Sequence, residues 1–107
     1  MKALIVTAVA FAAFAGVAQA GVSNLNYLEA ARCRGLAASE NLGKLDTTAL
    51  DAFLRDEGSA RDLAVRTSAI NRMQSALKEA NAADGEKKAK LLAQREGACA
   101  AYIAGGK

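Results

Sequence analysis

The sequence predicts an all-α protein, a small up-and-down bundle of three to four helices closed by one disulfide. Three observations carry that expectation. Alanine, the strongest helix former, supplies 19 of the 40 apolar residues that follow position 20, and β-branched residues are scarce there. No proline interrupts the chain. Its two cysteines, Cys33 and Cys99, lie far apart, so a bridge between them would tie the first helix to the last.

The first element is a leader. Of the 107 residues, positions 1–20 open with a positive Lys2, continue with an apolar run broken only by Thr7, and end in Ala18-Gln19-Ala20, a small-x-small cleavage site. Cleavage is expected between Ala20 and Gly21. The run is short of the roughly 20 residues that span a bilayer, and Gly21 at the new N-terminus takes no lipid anchor. The expected product is one helical domain, residues 21–107, in the periplasm of a bacterium or fully secreted. Either compartment is oxidising, so an even pair of cysteines without CxxC spacing reads as a structural disulfide. The long loop it closes gives about 4 kcal/mol by chain entropy.

Four helical segments follow. The first covers about residues 23–39, capped by Ser23 or Asn24, and its spacing places Val22, Leu25, Leu28, Cys33 and Leu36 on one side. The second begins at Asp46 as N-cap, with Leu45 and Leu50 placed as a hydrophobic staple, and stops at Gly58. Ser59 and Asp62 have capping-box spacing ahead of the third, whose heptad Leu63, Ile70, Leu77, joined by Met73 and Ala80, is expected to be core. The last covers about residues 86–104, carries Leu91, Leu92, Cys99, Tyr102 and Ile103, and ends at Gly105-Gly106. Short loops favour antiparallel neighbours. The alternative is a hairpin of the third and fourth helices with the first two laid across it.

Arg95 falls at the centre of the apolar arc of the last helix, where a charge must reach solvent or find a partner. With the two cysteines in register, parallel helices would bring it to Glu29 and antiparallel helices to Glu40. The first expectation is that its long stem carries the charge out to solvent; the alternative is an interhelical ion pair, for which Glu40 is the expected partner of Arg95.

Composition removes most chemistry. The chain has no histidine and no tryptophan, and no serine sits in a nucleophile elbow. The paired carboxylates, Asp56-Glu57 and Asp46 with Asp51, lie at helix ends, where capping and solvation account for them. No catalytic residue, metal ligand set or cofactor motif is assigned, and the protein reads as a non-enzyme. Beyond the leader, 13 basic residues face 11 acidic ones, a balance that attracts no nucleic acid. The cluster Lys87-Lys88-Ala89-Lys90 reads as a solvated helix start, with anionic lipid heads as its other possible contact, and the mature chain carries no segment for membrane attachment.

By elimination the chain reads as a small exported interaction protein that presents a helical surface to an envelope or secreted protein. The candidate face is a polar stripe of the third helix, Arg61, Ser68, Arg72, Ser75 and Glu79, brought together by 3.6-residue spacing. In broad plan, an all-helical mature chain of under a hundred residues with one distant cysteine pair, it also resembles the small acid-activated periplasmic chaperones. That resemblance implies a stress chaperone that loosens in acid, and it carries no residue role.

Overall fold

The computed structural model describes residues 22–106; the leader, with Ala18, Ala20 and Gly21 of the cleavage site, lies outside the described residues, as does Lys107. Among the described residues are α1 (Asn24–Ala38), α2 (Thr48–Gly58), α3 (Leu63–Ala82), α4 (Gly85–Glu96) and the single turn α5 (Ala100–Ile103), with no strand. The fold is all-α, as the composition predicts.

Helix α1 is the hub. Ser23, in extended conformation, caps it by accepting the Asn26 amide at 3.0 Å. Ala30, Cys33, Leu36 and Ala37 have no exposed surface, because the other helices are arranged around α1. Helix α2 runs antiparallel to it, with Gly58 against the Tyr27 ring and Asp51 beside Arg34. Helix α3 runs parallel to it: Arg61, ahead of α3, reaches Asn24, then Ala76 meets Gly35 and Asn81 meets Ser39. Helix α4 runs antiparallel again, carrying Arg95 to Leu36 and then Cys99 to Cys33. The direction alternates up, down, up, down. Helix α3 packs along α1 rather than forming a hairpin with α4, and α2 and α3 do not pack along each other.

The seam between α1 and α3 is made of small residues. A Cβ added to Gly35 would lie 2.3 Å from the Met73 carbonyl oxygen and 2.9 Å from the Ala76 methyl. The row of α3 that enters this seam is Ala69, Ala76 and Ala80. The expected heptad core is therefore corrected: Leu63 is 71% and Ile70 49% exposed, while Met73 and Leu77 are half-buried. The apolar heptad and the alanine row sit side by side on α3, and close approach selects the alanines. Leu25, expected inside, is 70% exposed in the first turn of α1.

Cys33 and Cys99 form the expected disulfide, 66 residues apart with a Cα–Cα distance of 5.5 Å, and both are buried. Arg95 does not carry its charge out to solvent, and it has a different partner from the one expected. It is 6% exposed, and its guanidinium donates to the carbonyls of Gly43 (2.7 Å), Leu42 (2.8 Å) and Leu36 (3.3 Å). Helix α1 ends at Ala38, so Glu40 lies in the following loop and is exposed, while the loop carbonyls and the negative end of α1 turn toward the cation. The same loop is bonded to α3: Ser39 donates to Asn81 (2.7 Å), and the Asn41 amide donates to Ala83 (2.7 Å) and Ala80 (2.9 Å), covering carbonyls at the end of α3.

Three local expectations also change. Ser59 donates back to the Asp56 carbonyl and closes α2, so no capping box forms ahead of α3. The N-cap of α2 is Thr47, one residue after the expected Asp46, whose carboxylate accepts the Thr48 amide, and Leu45 remains partly exposed instead of stapling to buried Leu50. The last helix is interrupted at Gly97, where the Cys99 amide donates to Gln94 one residue further back than an α-helix allows, separating α4 from α5.

Candidate functional site

The stripe predicted from α3 is divided by the structure. Ser68, Arg72 and Ser75 do share one exposed face, and with Asn71 they line an open recess of about 310 Å³. Asn71 was missed because it sits at the rim of the arc. Every side chain of this recess carries a hydrogen-bond donor: two hydroxyls, an amide and a guanidinium.

Arg61 is not part of that face. It precedes α3, so helical spacing does not apply to it, and its guanidinium is held from four directions. It donates to the Val22 carbonyl (2.7 Å), Glu57 (2.9 Å) and Asn24 (3.0 Å), and it lies 5.0 Å from the centroid of the Tyr27 ring. Arg61 thus fixes the start of α1 to the α2–α3 turn. Glu79 belongs to another recess, of about 340 Å³, where it pairs with Lys87 of α4 (3.1 Å) and Arg32 of α1 (3.6 Å) over Leu91. The basic cluster at the start of α4 is therefore partly committed to α3 through Lys87.

On the opposite side of α3, the space between α2 and α3 forms an apolar groove of about 110 Å³, floored by Tyr27, Ala31 and Ala69 and walled by Leu54, Ile70 and Met73. Sequence reading assigned Ile70 and Met73 to the core. The signal that separates them is the pair of small residues Ala69 and Ala76, each one position before a heptad member.

Helix α2 is held on α1 by one polar contact besides its apolar face. Arg34 donates to Asp51 through Nε (2.8 Å) and Nη2 (3.4 Å), and Thr47 adds a third bond at 3.0 Å. The Arg34 hydrogen bond, foremost, holds the Asp51 carboxyl below its ordinary value of 3.8 against some desolvation. Asp46 is lowered as well, by its bonds from the Thr48 hydroxyl and amide.

Compared with protein-family models, with curated proteins and with solved structures, the chain gives no match.

A carboxylate whose pKa is lowered on folding adds stability above its unfolded value, and that stability drains away as pH falls through the lower folded value. Asp51→Asn should therefore lower the urea midpoint at pH 7 and flatten the decline in stability between about pH 4 and pH 2. If the wild-type and Asp51→Asn midpoints run parallel through that window, the Arg34 pair does not hold α2.

Proposed function

We propose that the chain is an exported, non-enzymatic interaction protein of the bacterial envelope that docks an envelope or secreted protein on α3. The leader pattern and the disulfide support export to the periplasm, with secretion as the other destination. No helix among the described residues is long and apolar enough to cross a membrane. The observation that carries the docking role is the way α3 is seated. Its buried contact with α1 is a narrow row of alanines, which leaves the rest of a 20-residue helix outside the core. Every side chain of the recess, Ser68, Asn71, Arg72 and Ser75, can donate and Arg72 adds a positive charge, so the recess suits a partner segment rich in carboxylates and free carbonyls. The disulfide and the Arg95 contacts fix the backbone that presents it, which limits the ordering cost of binding.

The tagged mature protein should retain one envelope or secreted protein at neutral pH. Arg72→Glu should lose it while keeping the wild-type far-ultraviolet dichroism, because the exposed guanidinium makes no contact on which the fold relies. Retention that survives Arg72→Glu removes the recess as the docking surface.

A second reading, an acid-stress chaperone, is favoured by the placing of the ion pairs. Asp51 joins α1 to α2, Glu57 holds Arg61, and Glu79 ties α3 to both α1 and α4. Each pair depends on a carboxylate that acid neutralises, while its basic partner stays charged. Acid would leave 13 basic side chains of the mature chain unopposed, with the disulfide limiting how far the chain opens. Near pH 2–3, roughly below the carboxylate range, the oxidised protein should bind a hydrophobic dye, stay soluble and suppress aggregation of a client. Unchanged near-ultraviolet dichroism at that pH discards this reading.

A further inference from the structure

The apolar stripe of α3 is left over by the polar recess, which lies on the other side of the helix. We propose that this stripe is the contact between two copies of the chain, with α3 packed antiparallel on α3 about a two-fold axis at Ile70. Leu63 and Ile70 are 71% and 49% exposed, and half-buried Met73 and Leu77 continue the same side. Leu63, Ile70 and Leu77 fill one of the two alternating positions of a heptad seam, and Met73 stands at the other.

The pattern is self-complementary. An antiparallel pairing centred on Ile70 sets Leu63 against Leu77 of the second copy at both ends of the seam, and an isologous contact of this kind closes as a dimer. The charges permit it. Along one flank of the stripe stand Thr67 and Gln74, both neutral, and the pairing brings them together across the seam. Arg66 is the one charged residue of the seam, because Arg72 faces the recess. Two Arg66 side chains would stand eight residues apart along the paired axes, roughly 12 Å at the helical rise, which is beyond the Debye length of about 8 Å at physiological salt. The groove between α2 and α3 adjoins the stripe, and its wall residue Leu54 extends the apolar surface that the second α3 meets. One seam of this length is small, so the dimer is weak and reversible. It would leave both polar recesses facing outward and make the assembly bivalent for a partner. The inference is independent of which partner the recess takes.

Sedimentation equilibrium of the oxidised mature protein tests it, at neutral pH and up to about 1 mM, a range that covers weak specific contacts. The expected result is a concentration-dependent monomer–dimer equilibrium that Ile70→Asp shifts to monomer with unchanged far-ultraviolet dichroism. Both native cysteines are in the disulfide, so Ile70→Cys introduces a single thiol on the proposed axis. Mild oxidation should give a covalent dimer of Ile70→Cys at least about tenfold faster than of Ser68→Cys, whose thiol would sit on the recess. A wild-type monomer at every concentration overturns the proposal. So does dimerisation that Ile70→Asp leaves intact, or equal crosslinking of the two cysteine variants, either of which places the contact elsewhere.

Discussion

The spacing of α1 and α3 at Gly35 sets the rest of the molecule. With a hydrogen in place of a side chain there, the backbone of α3 comes so close that the Met73 carbonyl and the Ala76 methyl occupy the volume where a Cβ would stand. Two helices so near each other can share only alanines. The bulky residues of α3 are turned out of the seam, and a helix that would ordinarily be core becomes half surface. The exposed stripe and the polar recess are thus two results of one close contact.

A seam of alanines buries little apolar area per residue, and area is the main source of hydrophobic stabilisation. Few large side chains are fully buried: Leu36 and Leu50 are the largest of them. The remaining constraints are polar or covalent, and they converge on α1. Cys33 receives the C-terminal segment through the disulfide, Arg34 holds α2, and the carbonyls around the end of α1 receive Arg95. A buried guanidinium stays in place there because three oxygens accept from it, and it would be costly without them. The disulfide limits the unfolded chain by closing a long loop, a contribution that matters most in a domain with so small a core.

Much of the fold was legible in the sequence because it rests on local chemistry. Alanine content and the lack of proline gave helices, Ser23 and Gly58 marked real ends, and the even cysteine count gave the bridge. The direction of the last helix relative to the first also followed from short loops. What local rules did not give was the choice between two adjacent rows on α3, since an apolar heptad and an alanine row satisfy the same periodicity. Gly35, on another helix, decides between them. The partner of Arg95 escaped for a related reason: charge counting offers carboxylates, whereas the loop after α1 offers backbone oxygens that no side-chain pattern announces. The candidate face was legible where helical geometry holds, at Ser68, Arg72 and Ser75. It failed at Arg61, which precedes the helix, and at Glu79, which a neighbouring helix claims.

Gly35→Ala is the most direct measure of this account, because two effects of opposite sign compete at that position. Helix propensity alone would stabilise the variant by about 1 kcal/mol, as alanine does for glycine inside a helix. The close seam predicts the reverse, a loss of about 1–3 kcal/mol from overpacking against backbone that cannot move aside cheaply. A lowered urea midpoint for the oxidised variant supports the α1–α3 approach on which the exposed face of α3 depends, and a raised midpoint contradicts it.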